Sequence, residues 1–211
     1  MRLQDCRLYG ILDLAYVARA DTARVAHAMI SGGVDILQLR AKRESVTEIA
    51  SIARELLPIT SAAHVLFVIN DYAHIARDVG ADGVHVGQDD ISVAEVRKLL
   101  GPYGFVGKST HSLEQATTAQ IEGADYIGFG PLYATPTKPD YAPIGLNEIG
   151  AAHAAVKLPI FCIGGIKLSN LAQVIAAGAC RVVIVSGLLQ ARDIAEYARS
   201  AKMLLTRGTQ K

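Results

Sequence analysis

Two hydrophobic rhythms alternate along the chain. Short continuous runs of branched and aromatic residues recur at Leu8–Leu12, Val34–Leu39, Val65–Ile69, Gly83–Val86, Phe105–Val106, Tyr126–Phe129, Ile160–Ile163 and Val182–Val185. Runs of that length, apolar at successive positions, read as strands buried on both faces. Between them the apolar positions take helical spacing. Thr22 to Ile30 carries Ala23, Val25, Ala26, Met29 and Ile30. Ser45-Val46-Thr47-Glu48 opens a second helix with a capping-box pattern, ahead of Ile49, Ile52, Ala53, Leu56 and Leu57. Ser92 with Glu95 does the same for Val93–Leu100, and Ser112 precedes Leu113–Ile121. Ser169 is expected to cap Leu171–Ala177, with Gly178 as the stop.

Strands separated by helices imply parallel pairing through right-handed crossovers. Eight such units in 211 residues predict an α/β chain folded as a (β/α)₈ TIM barrel. A doubly wound open sheet is the competing architecture. No linker, low-complexity tract or charge block interrupts residues 1–211, so one domain is expected. In such barrels the chemistry sits at the C-terminal ends of the strands.

The polar residues that end the apolar runs therefore carry the functional reading. They are Gln38-Leu39-Arg40-Ala41-Lys42, Asn70-Asp71, Gln88-Asp89-Asp90, Lys108-Ser109-Thr110-His111, Thr135-Pro136-Thr137-Lys138, Gly164-Gly165 and Ser186-Gly187. Asn70-Asp71 and Asp89-Asp90 lie one strand–helix–strand step apart, so their carboxylates are expected side by side at one rim. That suits a hard cation such as Mg²⁺ with a phosphate completing its shell. Spacing alone leaves Asp89 and Asp90 undistinguished. Arg40 and Lys42, two positions apart on extended backbone, face the same way and suit a diphosphate. Gln38, on the same face and deeper, offers an amide to a heteroaromatic ring.

Gly107-Lys108-Ser109-Thr110 imitates the end of a P-loop, but Pro102 stands where that motif requires Gly, so nucleoside triphosphate binding is set aside. Ser109 remains a hydroxyl donor to an anion, and His111 a candidate acid or base. The loop from Gly128 to Asp140 places Thr135, Thr137 and Lys138 within four residues and is expected to order over a ligand as a lid. Gly164-Gly165 and Val185-Ser186 follow strands seven and eight, where backbone N–H groups often cradle a phosphate. One cavity with a diphosphate at one end and a single phosphate at the other suggests a transferase.

Composition narrows the field further. With 51% hydrophobic residues the chain can bury a sizeable core, and a net charge of +1 argues against bulk nucleic-acid binding. No apolar stretch is long enough for a membrane span. The start, Met1-Arg2-Leu3-Gln4-Asp5-Cys6-Arg7, lacks the features of a signal peptide, so a cytoplasmic location is expected. Cys6, Cys162 and Cys180 are odd in number and widely spaced, which fits reduced thiols better than a disulfide framework or zinc site. Homo-oligomerisation is left open.

Taken together and in order, Gln38-Leu39-Arg40-Ala41-Lys42, Ile69-Asn70-Asp71, Gly83 through Asp90, Ser109-Thr110-His111-Ser112, Gly130-Pro131 with Thr135-Pro136-Thr137-Lys138, Ile163-Gly164-Gly165-Ile166 and Val185-Ser186 resemble thiamine-phosphate synthase over nearly the whole chain. The resemblance implies a barrel that joins hydroxymethylpyrimidine diphosphate to a thiazole phosphate by dissociative loss of diphosphate. It further implies that Gln38, Arg40, Lys42, Asn70, Ser109 and Lys138 hold the pyrimidine diphosphate, with Arg40, Lys42, Ser109 and Lys138 in the catalytic set. By the same resemblance Asp71 and Asp90 hold one Mg²⁺. Thr135, Thr137, Gly165, Val185 and Ser186 hold the thiazole phosphate, and Leu39, Ala41 and Pro136 fall within the substrate-binding segments. Two positions depart from the family pattern: Ala41 stands where Glu is common, and Lys108 where a small or apolar residue is usual. Three other readings compete. A thiazole tautomerase relative would use a histidine matching His111. A non-catalytic regulatory barrel would not need the cation set, and a phosphosugar isomerase would not explain the metal pair.

Overall fold

The structure, a computed structural model, describes residues 2–102, 104–135 and 142–208. Eight strands, β1 (Leu8–Asp13), β2 (Ile36–Arg40), β3 (Leu66–Asn70), β4 (Gly83–Val86), β5 (Phe105–Thr110), β6 (Tyr126–Phe129), β7 (Ile160–Cys162) and β8 (Val182–Ile184), close in sequence order into an all-parallel barrel. Pairing of Leu8–Gly10 with Val182–Ile184 completes the ring, which excludes the open sheet. Nine α-helices are formed by the described residues. They are α1 (Thr22–Ser31), α2 (Val46–Ala62), α3 (Ala73–Val79), α4 (Val93–Leu100), α5 (Leu113–Ile121), α6 (Ile149–Ala155), α7 (Leu168–Ala176), α8 (Ser186–Leu189) and α9 (Ile194–Gly208).

The helix starts follow the local chemistry. Ser45, Ser92 and Ser112 each accept a hydrogen bond from the backbone N–H three residues on, and Ser92 with Glu95 completes the reciprocal box. The expectation at Ser169 needs correction. Helix α7 begins at Leu168, so Ser169 lies inside its first turn, while Asn170 Oδ1 accepts from Lys167 N and Tyr197 Oη from Leu168 N. Helices α3, α6, α8 and α9 are absent from the sequence reading, although Asp193 caps α9 by accepting from Glu196 N at 2.9 Å. Strand β5 runs past the apolar pair Phe105–Val106 through Lys108, Ser109 and Thr110, each paired to β6. The P-loop look-alike is thus strand, not a phosphate-binding turn.

Period-two alternation sorts the core into two layers. Inside the barrel pack Tyr9, Ile11, Ile36, Val68, Tyr126, Phe161 and Val183, together with Cys6. Phe161 meets both tyrosine rings edge-on, at 5.5 Å from each. The alternate positions, such as Leu8, Leu37, Leu39, Val84, Val106 and Ile127, pack outward against the helices. Burial pushes the Cys6 and Cys162 thiols up to about 12, so both behave as small apolar side chains.

A repeated carboxylate ties the lower rim. Asp35, Asp82 and Asp125 immediately precede β2, β4 and β6. Asp35 accepts from the backbone N–H groups of Arg7 and Leu8, at 2.8 and 2.9 Å, Asp82 from Phe67 at 2.7 Å, and Asp125 from Val106 at 2.7 Å. Each acid thus satisfies the start of the preceding strand, where no ladder bond is available. Asp35 also pairs with Lys202 of α9, fastening the last helix to the bottom of the barrel. Replacing Asp35 with Ala would leave the partly buried Lys202 ammonium and two amide hydrogens without this acceptor. We expect Asp35→Ala to cost about 3 kcal/mol in denaturant unfolding; a loss below about 1 kcal/mol would show that water satisfies these groups as well.

Candidate active site

The upper ends of the strands surround one cavity. Gln38 and Arg40 enter from β2, Asn70 from β3, His85 from β4 and Ser109 from β5; His111, Gly130 and Thr135 follow β5 and β6, and Gly165, Val185 and Ser186 follow β7 and β8. Ile11, Ile163, Ile166 and Val183 add apolar wall. A smaller space below reaches Tyr9, Tyr126 and Phe161. Eight of the residues expected from sequence therefore meet in one place: Gln38, Arg40, Asn70, Ser109, Thr135, Gly165, Val185 and Ser186.

One rim is built from ion pairs. Asp13, the buried last residue of β1, accepts from Arg40 Nη1 at 2.6 Å and holds the guanidinium in place. Lys42 Nζ donates to Asp71 Oδ2 at 2.5 Å. Lys42 lines a neighbouring polar recess with Asp13, Tyr16, Arg43 and Glu44, and Arg40 is common to both spaces. Asp71 has φ +66°, a left-handed backbone that a non-glycine residue adopts at a cost of order 1 kcal/mol or more. That turn directs the chain across to β4, where Asp71 N donates to His85 O. Asp90 Oδ2 accepts from Gly87 N at 2.6 Å, which folds the β4 loop back toward the same rim. Burial pushes the Asp71 carboxyl up, the Asp90 carboxylate adds to that, and Lys42 opposes it.

A hard dication fits this donor set, since it would relieve the repulsion between the partly buried Asp71 carboxylate and the exposed Asp90 beside it. Among the described residues no third His, Cys, Asp or Glu joins the pair. Two carboxylates with the rest of the shell left to substrate oxygens and water is the usual pattern for Mg²⁺.

The floor is a line of polar side chains through the barrel. Gln38 Nε2 donates to Asn70 Oδ1 at 3.1 Å, and Tyr9 Oη donates to Gln38 Oε1 at 2.6 Å. The Tyr9 and Tyr126 hydroxyls meet at 3.0 Å, Tyr126 Oη meets His85 Nδ1 at 3.0 Å, and His85 Nε2 meets Ser109 Oγ at 3.0 Å. Burial pushes both phenols upward, so both stay protonated. On the far side, Gly165 has φ +64°, and a Cβ there would stand 2.7 Å from the Cβ of Tyr133. Asn170 Nδ2 donates to Gly165 O at 3.0 Å and pins that loop. Tyr133 N and Leu132 N donate to Gly164 O and Ile163 O, which lays the start of the β6 loop over the β7 loop.

Some expected residues lie elsewhere. Leu39 and Ala41 turn their side chains into the outer apolar layer, because Gln38 and Arg40 occupy the inward positions; only their backbone is left to meet a substrate. Lys108 is buried but does not line the cavity, since Ser109 takes the inward position beside it. Pro136, Thr137 and Lys138, in the last five residues of the expected lid, lie outside the described residues. His111 lines the cavity, with its Nδ1 donating to Gly130 O at 2.5 Å. Five residues escaped the sequence reading. Asp13 carried the same signal as the other polar strand ends, His85 sat at an inward position of a quoted motif, and Tyr9, Tyr126 and Asn170 had no signal beyond their strand or helix.

Comparison with known proteins gives the family. Residues 8–188 match the family described as thiamine monophosphate synthase. A protein of Chloroflexus aurantiacus named thiamine-phosphate synthase is 41% identical over 203 residues, covering 96% of this chain and 94% of its own. One of Moorella thermoacetica with the same name is 39% identical over 202 residues, covering 95% and 96%. The solved thiamine phosphate pyrophosphorylase of Pyrococcus furiosus superposes with a TM-score of 0.89 over 97% of both chains at 27% identity. The chain belongs to the thiamine monophosphate synthase family.

Proposed function

We propose that the chain is a thiamine-phosphate synthase that joins hydroxymethylpyrimidine diphosphate to a thiazole phosphate, carboxylated or not, giving thiamine phosphate and diphosphate. Membership of the family makes it an enzyme of the transferase class. No helix among the described residues is long and apolar enough to cross a membrane. The observation that carries the reading is a cavity with two differently built ends. Arg40 stands at one, next to the rim where Lys42 pairs with Asp71 beside Asp90, and Gly165, Val185 and Ser186 stand at the other.

In this reading Gln38 and Asn70 engage the pyrimidine on the cavity floor. The diphosphate lies toward Ser109, Arg40, Lys42 and Lys138. Thr135, Thr137, Gly165, Val185 and Ser186 take the thiazole phosphate, Val185 through its backbone, with Pro136 between the two threonines. Asp71 and Asp90 would hold Mg²⁺, which supplies Lewis-acid neutralisation of charge on the leaving diphosphate. The C–O bond to the pyrimidine methylene breaks and its electron pair leaves with the diphosphate. The thiazole nitrogen then donates its own pair to the methylene carbon. Fixed cations stabilise the leaving group most where their position is already set, as the Asp13 carboxylate sets Arg40. No side chain need act as general base, because the thiazole nitrogen is already a nucleophile. The apolar wall of Ile11, Ile163 and Val183 keeps water from the cation.

His111 in the same cavity supports the tautomerase alternative. A coupling assay separates the two. Purified protein, pyrimidine diphosphate and thiazole phosphate should give thiamine phosphate with Mg²⁺ and little with EDTA. Folded protein that binds thiazole phosphate without coupling it would shift the reading to tautomerisation. Asp90→Ala should lower kcat by roughly 100-fold and abolish stimulation by Mg²⁺; turnover still stimulated by Mg²⁺ would remove Asp90 from the metal site. Ser186→Asp should raise KM for the thiazole phosphate roughly tenfold, through a like charge beside a phosphate, and move KM for the pyrimidine diphosphate little. Equal changes in both constants would place the phosphate elsewhere.

A further inference from the structure

The hydrogens of the cavity floor can be assigned one after another. Tyr9 has one hydroxyl hydrogen, and Gln38 Oε1 takes it. The contact between the two tyrosines is then donated by Tyr126. Tyr126 has no second hydrogen, so His85 must donate from Nδ1. A neutral imidazole with hydrogen on Nδ1 accepts at Nε2, so Ser109 donates to it. In this polarity the Ser109 hydroxyl hydrogen is held by His85, and the face Ser109 turns to the cavity is an acceptor. An oxyanion requires the opposite.

We propose that Asn70, Gln38, Tyr9, Tyr126, His85 and Ser109 form one relay with a shared polarity, and that an oxyanion at Ser109 selects the reversed polarity. In the reversed state Gln38 Nε2 donates to Tyr9, Tyr9 to Tyr126, Tyr126 to His85 Nδ1, and His85 Nε2 to Ser109, whose hydrogen turns to the anion. Gln38 Oε1 then accepts from the Asn70 amide. No net charge moves: each hydroxyl turns, both amides turn over, and His85, which lines the cavity, changes tautomer by giving its Nδ1 proton to cavity water and taking one from water at Nε2. The same heavy-atom positions serve both states, because an amide has nearly the same shape either way round.

Packing keeps the relay continuous. Tyr9, Tyr126 and Gln38 are 1%, 0% and 2% exposed, so the inner links are shielded from bulk solvent. A Cβ on Gly107 would stand 2.4 Å from Tyr126 Oη, so only glycine lets that hydroxyl stand between Tyr9 and His85. The consequence is specificity. The donor–acceptor face that Gln38 and Asn70 offer a ring is set by what Ser109 meets across the barrel. A ligand carrying both a suitable ring and an oxyanion satisfies the two ends together, whereas either half alone leaves one end mismatched. His85, Tyr126 and Tyr9 are thus positioning residues for the proposed reaction, and the inference rests on the reading that diphosphate meets Ser109.

The test is ¹⁵N NMR of the full chain labelled at histidine, with His85 assigned by comparison with His85→Gln. Spectra are taken without ligand and with inorganic diphosphate and Mg²⁺, and binding is followed separately by calorimetry. The expected result is hydrogen on Nδ1 without ligand and on Nε2 with it. Bound diphosphate with His85 unchanged would overturn the relay and leave the functional reading standing, and so would a His85 protonated at both nitrogens. No diphosphate binding would overturn both. Tyr126→Phe keeps the ring and removes one link. It should raise KM for the pyrimidine diphosphate roughly tenfold, the loss of about one buried hydrogen bond, and leave KM for the thiazole phosphate unchanged. His85→Gln, whose amide carries both a donor and an acceptor, should retain more activity than His85→Leu. Equal KM values in Tyr126→Phe and the unchanged chain, or equal activity in the two His85 variants, would reduce these residues to packing and overturn the relay.

Discussion

A closed parallel barrel gives its interior polar side chains neither water nor an edge, so each must find its partner across the lumen. That constraint organises the upper half of this molecule. Gln38 and Ser109 point inward because period-two alternation leaves them no other side, and Gln38 is too deep for bulk solvent to satisfy. Their needs are met through two tyrosines and a histidine that cross the barrel axis. The tyrosines serve twice. Their rings complete the apolar plug with Phe161, and their hydroxyls carry the polar line. The candidate site therefore has a rigid base, while its ligand-facing groups stand one layer above it.

Carboxylates do different work at the two ends of the same strands. Asp35, Asp82 and Asp125 lie at strand starts and accept from backbone N–H groups, so their charge is answered locally and the barrel is fastened there. Asp71 and Asp90 follow strand ends. Asp71 has Lys42 on one side but Asp90 on the other, and burial together with that neighbour leaves it under strain that a dication would lift. Asp13 belongs to neither class. It sits at a strand end, yet its partner is Arg40, and its effect is to fix a cation.

The barrel was legible because eight apolar runs spaced by helical segments admit few topologies. The rim was legible because polar residues repeatedly ended those runs. Harder to see were features that need two distant segments at once. Tyr9 and Tyr126 each read as ordinary core aromatics, and only the closure of β1 beside β8 and of β5 beside β6 brings their hydroxyls together. Asn170 is a helix residue until the β7 loop bends back onto its amide. The extent of β5 was hidden for the opposite reason. Lys108, Ser109 and Thr110 are polar and read as a loop, but pairing to Ile127, Gly128 and Phe129 holds them in the sheet.

Alternation also explains the two departures from the family pattern. Ala41 follows an inward arginine and Lys108 precedes an inward serine, so both fall on the helix side of the wall. Ala41 is 4% exposed and packed in the outer apolar layer, while Lys108 is 6% exposed and absent from the cavity lining. A change at such a position is settled by packing between strand and helix. It reaches the cavity only by moving the backbone of the strand that carries Arg40 or Ser109. The register of β2 with β1 runs without interruption to Arg40, the residue before Ala41, and that of β5 with β6 runs through Lys108 to Thr110. The inward residues beside the two substitutions keep their places in that register, so the barrel wall separates the composition of its outer layer from the chemistry of its lumen.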